Sequence, residues 1–361
     1  MANPIAVNSK TQNEDELLKC CCRVSPGPEV LARIGKLVQE PLDWSLVAER
    51  SWWHRIRPLT CKYLNSQPSG LVPDDVLQDL GEHVTELSER NQRLLNGLHD
   101  VAAIFEEAKL RLLVFKGPAL AIDAYGDLSL RECGDLDLLL HRDDFEPAAK
   151  LLESHGFKCC WDRAEGATVR QVFACEFDRD GVRLDVHWDL APGWFNYKVD
   201  FDQFCDAGVP LTPQSHFVKK IRPEDSIVVL CIHGAKHWWE RLRWIGDIAE
   251  LINSGQIKDW NRVEAEAAKA HSRRSVFLGL WLAGNLLGAK LPAEVRQKLE
   301  RQKYVRKLGT QIAAWLTYAE GAAEERSLKD RFLFRMGLCE RWRDRVPQIW
   351  HYLRARPSNA E

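Results

Sequence analysis

Residues 134–140 read Gly-Asp-Leu-Asp-Leu-Leu-Leu, two carboxylates two positions apart inside an apolar run. On a β-strand successive side chains alternate faces, so Asp135 and Asp137 project from one face and Leu136, Leu138 and Leu140 from the other, toward a core. Two acids this close repel each other unless positive charge sits between them. A divalent cation answers that need, and hard oxygen ligands favour magnesium over zinc.

The flanking sequence supports a strand at this position. Upstream, Leu112-Leu113-Val114-Phe115 is a short apolar run suited to a buried strand. Lys116-Gly117-Pro118 follows it, and proline suits the first turn of a helix. That helix ends at Tyr125-Gly126-Asp127. Downstream, Asp143 with Glu146 three residues on resembles a capping box, and the helix it opens stops near Gly156. Gln171–Phe177 and Val182–Trp188 alternate as strands about a hairpin turn, Asp178-Arg179-Asp180-Gly181. Asp185 is the second strand's contribution to the acidic group.

Three carboxylates, Asp135, Asp137 and Asp185, suffice to hold two magnesium ions, or manganese in their place, and to clamp an in-line displacement at phosphorus. The phosphates need a separate cradle. Gly117 lets backbone approach closely, and the helix N-terminus after it offers unpaired N–H groups. Lys116 is a candidate phosphate contact and Arg131 a candidate bidentate one. His187 shares a face with Asp185, where it either orients a ligand or packs beside Trp188.

The run LLVFKGPALAIDAYGDLSLRECGDLDLLL, followed by RLDVHWDL, resembles a poorly characterised bacterial nucleotidyltransferase family of the polymerase-beta-like superfamily. The flanking DWSLVAERSWWHRIRPLT and CIHGAKHWWERLRWIGDIAEL are similar to that family's helical frame, so the resemblance covers about residues 40 to 255. It implies Asp135, Asp137 and Asp185 as metal ligands, a nucleoside triphosphate such as ATP as substrate, and a helical appendage that helps hold nucleotide or acceptor. One departure stands out. The superfamily's turn is Gly-Gly or Gly-Ser, whereas Gly117 is followed by Pro118, which has no N–H to offer a phosphate.

The expected fold class is α+β, a small mixed sheet core at residues 110–210 flanked by helical regions. Residues 1–15 are polar and read as a disordered tail, 16–109 as the N-terminal helical region and 211–361 as a C-terminal helical domain. A long helical period runs from Pro73 to about Lys109, with Asp74 or Asp75 as its cap. Pro223 opens a helix carrying His233, Lys236 and His237. The two histidines share a face, but Gly234 stands where a zinc-protease motif needs glutamate. Lys236 suits a phosphate and Asp247 a lysine or a ribose, with ion pairing on a helix surface as the alternative for both.

The net charge of −2 supplies no global field for nucleic acid. No apolar run is long enough to span a bilayer, and the first residues carry no signal pattern. Eleven cysteines without a C-x-x-C pair read as free thiols in a reducing cytoplasm. Most of the 14 tryptophans, Trp52, Trp53, Trp238, Trp239, Trp244 and Trp281 among them, suit core or inter-helix packing. The expected activity is transfer of a nucleoside monophosphate, AMP from ATP, to a small molecule, sugar, peptide or protein. A nucleotide- or partner-binding module without catalysis and a metal-dependent phosphohydrolase are the alternatives.

Overall fold

Among the described residues, seven strands form one mixed sheet at the centre of the chain. The computed structural model describes residues 11–160, 173–316 and 328–355. Helices α1 (Gln12–Cys21), α2 (Pro28–Leu37), α3 (Trp44–Trp53), α4 (Arg57–Leu64) and α5 (Asp74–Glu107) precede β1 (Leu112–Val114). Helix α6 (Gly117–Leu120) runs into a wide π turn at Ala121–Tyr125, and β2 (Leu136–Leu139), α7 (Phe145–Ser154) and β3 (Lys158–Cys159) follow. β4 (Ala174–Arg179), β5 (Val182–His187), α8 (Phe201–Ala207), β6 (Val209–Pro210) and β7 (Val218–Lys220) complete the sheet region. Next come α9 (Pro223–Lys236), α10 (Leu242–Asn253), α11 (Trp260–Lys269), α12 (Arg273–Leu287), α13 (Ala293–Glu300) and α14 (Lys303–Trp315). Among the described residues, α15 (Leu328–Leu338) and α16 (Trp342–Ala355) end the chain.

The strand order is β3-β4-β5-β2-β1-β7-β6. β2 runs parallel to β5 and antiparallel to β1, while β1 runs parallel to β7. Side-chain alternation then divides the molecule. Leu136, Leu138 and Leu140 face down with Leu112, Val114, Leu184 and Val186 into a core covered by Leu94, Leu98, Val101 and Phe105 of α5 and by Ala148 and Leu152 of α7. Leu113, Phe115 and Leu139 face up into a second core, which holds α9, α10 and α12. That second core also contains Leu17, Leu18, Ile34, Val47 and Leu64 of the first four helices, so the N-terminal and C-terminal helical regions share one interior.

Several local expectations are corrected by long-range contacts. Residues 12–15 belong to α1 rather than to a disordered tail. Glu14 and Asp15 are buried there because Glu14 accepts from the Asp43 amide at 2.9 Å and Asp15 pairs with Arg50. Residues 1–10 lie outside the described residues. Neither Asp74 nor Asp75 caps α5; Pro73 holds the cap position and both acids sit in the first turn, where the helix dipole favours them. Asp143 makes no capping box, because α7 starts only at Phe145 and the Asp143 amide is taken by His141 Nδ1 at 3.2 Å. β7 makes the stretch before Pro223 part of the sheet, in parallel register with β1. Trp52 is 46% exposed, not packed.

The hairpin forms as expected. Asp180 and Gly181, both at positive φ, join β4 to β5 in the two-residue turn whose twist matches the strands. The start of its first strand at Gln171 lies outside the described residues.

Candidate active site

β2 and β5 lie side by side in parallel, and Asp137 pairs directly with Asp185 in register. Both carboxylates rise from the upper face, one per strand. His187, two residues beyond Asp185, shares that face. Ligand atoms of Asp137, Asp185 and His187 all lie within 4.8 Å of one another. Asp135 is outside that group but lines the same cavity, of about 540 Å³. The structure thus brings all three expected acids to one cavity and adds His187 to the tight group in place of Asp135.

The group fits a divalent cation. His187 is 3% exposed, and neither ring nitrogen has an aligned hydrogen-bond partner among the described residues. Its Nε2 nevertheless approaches Asp185 Oδ2 to 2.8 Å. A buried imidazole whose Nδ1 has no hydrogen-bond partner among the described residues, and whose Nε2 faces two carboxylates, has the donor chemistry of a metal site. Burial pushes Asp135 upward, and the negative charges of Asp137 and Asp185 push it the same way. Burial also raises Asp185, but its contact with His187 and the charges of Lys116 and Lys236 outweigh this and hold it below its ordinary value.

Cations enter from the second core. The Lys116 ammonium reaches Asp137 Oδ1 at 2.6 Å and donates to His233 Nδ1 at 3.1 Å. Burial, then the charge of Lys116, keeps His233 far below its usual range, so its ring is neutral and free to accept. Lys236 lies over the Phe173 ring at 4.5 Å. His237 caps α9 rather than lying within it, and its ring lies tilted against those of His233 and Trp244 at 4.7 and 5.2 Å. Gly234 is where this wall needs space: a Cβ there would lie 2.4 Å from the Trp239 ring.

Arg131 and Asp247 also border the cavity, but each is the other's partner. Arg131 donates through Nε at 2.7 Å and through Nη2 at 2.9 Å to the two Asp247 oxygens, and Tyr125 donates to Oδ1 at 2.8 Å. The fork expected to meet phosphate is engaged by a carboxylate, while both residues still line the cavity. A residue the sequence did not suggest holds this segment in place. Buried Asn91 on α5 donates to the Leu128 and Arg131 carbonyls, both at 2.8 Å, and accepts from the Cys133 amide at 3.1 Å. The available signal was a polar residue on the apolar stripe of α5.

Gly117 has φ +64, and a Cβ would lie 3.0 Å from the Asp135 carbonyl. The glycine lets the Lys-Gly turn press against the acidic strand. Gly117→Ala is expected to destabilise the chain by roughly 1–2 kcal/mol. An unchanged denaturant midpoint would show that the approach is not needed.

The profile of a family described as an uncharacterised nucleotidyltransferase matches residues 40–288. No curated protein matches the chain.

Proposed function

Because the chain belongs to that nucleotidyltransferase family, we propose that it moves a nucleoside monophosphate, AMP from ATP, to a hydroxyl or phosphate acceptor and releases pyrophosphate. The observation that carries the reading is the facing pair Asp137 and Asp185 with His187 beside them, beneath a cavity bordered by cations. Asp137, Asp185 and His187 would hold magnesium or manganese. The cation supplies charge neutralisation on the phosphates and lowers the pKa of a bound hydroxyl.

The chain's own residues supply the rest. An acceptor oxygen bonds to the α-phosphorus, the bond to the bridging α–β oxygen breaks, and pyrophosphate carries that electron pair away. Asp135, in the cavity but outside the tight group, is the carboxylate left to take the acceptor's proton. Lys116 and Lys236 face the same cavity and offset triphosphate charge. Eleven unbridged cysteines accord with a reducing cytoplasm. Among the described residues no helix is long and apolar enough to cross a membrane.

The test is incubation with α-labelled ATP, magnesium and cell extract, comparing the native chain with Asp135→Asn/Asp137→Asn. A labelled product made only by the native chain supports the reading. Pyrophosphate release with no labelled acceptor would replace transfer with hydrolysis.

Lys236 gives a pH dependence. Burial and then the charge of Lys116 bring it down to about 8, against the opposing pull of Asp185, Asp137 and Asp189. Below that value the ammonium is charged and available to a triphosphate; above it the charge is lost. KM for the nucleotide is therefore expected to rise as pH passes upward through about 8. Lys236→Arg should flatten that rise, and a rise of the same size in the arginine variant would exclude Lys236 as its source.

A further inference from the structure

A second cavity, of about 230 Å³, adjoins the first and shares two of its walls, Arg55 and Arg241. Arg57, Arg90, Trp52, Trp53 and Leu87 line its remainder together with Glu132. Four guanidiniums thus meet a single carboxylate. Arg57 and that carboxylate form an ion pair but no hydrogen bond: Arg57 Nε stops 3.9 Å from Glu132 Oε1, and both atoms lack a hydrogen-bond partner among the described residues. The Nε donors of Arg57 and Arg90 are buried and have no hydrogen-bond partner among the described residues. Arg241 lies over the Trp53 ring at 4.9 Å, and Trp52 is 46% exposed at the edge. Asp135, Asp137 and Asp185 line the main cavity and not this compartment.

Buried guanidinium donors call for an oxyanion, and their planar forks match phosphate. The four lining guanidiniums, two of them with buried unpartnered Nε donors, against one carboxylate suit a dianionic phosphate monoester better than a monoanionic carboxylate. The indole faces suit a flat ring or sugar face attached to it. The nucleotide's triphosphate has separate cations, Lys116 and Lys236, beside the acids of the main cavity. We propose that the arginine–tryptophan compartment binds the acceptor, a small phosphate monoester with a flat face, and that Arg55 and Arg241 turn it toward Asp135, Asp137 and Asp185. The acceptor role rests on the transferase reading; the binding site does not. Like charge has already gathered at the shared wall, since burial and then the neighbouring Arg243 and Arg241 bring Arg55 down to about 10. An arriving dianion would relieve that crowding.

The test uses the full chain, with phenyl phosphate as the probe and benzoate as the carboxylate arm, followed by tryptophan fluorescence and calorimetry. ATP with magnesium is titrated separately. Arg57→Gln/Arg90→Gln is expected to weaken phenyl phosphate about tenfold or more and to leave the ATP–magnesium affinity within about twofold. Arg90→Gln alone, at a half-buried position on α5, repeats the test with less risk to the fold, and a thermal melt checks both variants. Equal phenyl phosphate binding by native and variant chains would overturn the proposal, as would a parallel loss of ATP affinity. Benzoate binding as tight as phenyl phosphate would overturn the phosphate assignment. Failure of the native chain to bind ATP–magnesium would defeat the transferase reading instead, while an arginine-dependent phenyl phosphate titration would still support the phosphate site.

Discussion

Replacing Asp137 with asparagine is expected to cut nucleotidyl transfer by roughly 10³-fold while the chain keeps its fold. Asparagine retains the volume and an acceptor oxygen for Lys116, which now sits 2.6 Å from Asp137 Oδ1. What it removes is the negative charge facing Asp185 across the parallel register. The cation group then has one anionic ligand and one imidazole, too little for a hard ion. Two readouts separate chemistry from folding. Manganese binding, followed by its paramagnetic signal, should weaken together with turnover, and the melting temperature should stay near that of the native chain. Transfer at more than a tenth of the native rate would remove Asp137 from the reaction. Asp137→Ala is a different experiment, because it leaves the Lys116 ammonium, 8% exposed, without its carboxylate.

Asp247→Ala is expected to destabilise the fold by roughly 3–5 kcal/mol. Its side chain and that of Arg131 are 2% and 3% exposed, so alanine leaves a guanidinium buried without its counterion and Tyr125 without its acceptor. Burial alone would raise Asp247; Arg131 beside it outweighs this and holds it below the ordinary 3.8. The sign follows from that depression. The pair's contribution is complete above the ordinary value and fades as pH falls below it toward the folded one. Denaturant midpoints of native and variant chains at neutral pH measure the loss. A variant that unfolds at the native midpoint yet binds nucleotide poorly would make Asp247 a ligand contact and not a wall.

Much of the site was legible because it depends on near neighbours in the chain. Asp135 and Asp137 share a face by strand alternation alone, as do Asp185 and His187. The Asp180-Gly181 turn identified the hairpin that delivers Asp185. The turn at Gly117 was legible from the order strand, glycine, proline. Other features left no local trace. β7 is three residues long, and what makes it a strand is parallel pairing with β1, more than a hundred residues earlier. Arg131 looks like a surface cation until Asp247, 116 positions later, closes on it. Arg55 comes from the turn between α3 and α4, Arg57 from α4 and Arg90 from α5, and their sequences give no reason to converge with Arg241.

The division has a physical origin. Side-chain direction along a strand or helix repeats over two to four residues, so the amino-acid sequence alone established the α+β class, the apolar and acidic faces of the central strand, and the Lys-Gly turn beside it. Which charges meet depends on how the packed layers come together: burial removes water from Arg131, Asp247, Lys116 and Asp137 at once, and only partners brought close by the same packing can compensate. The tertiary structure therefore decided which charges meet and which residues line the cavities, and it merged two helical regions distant in the chain into one core.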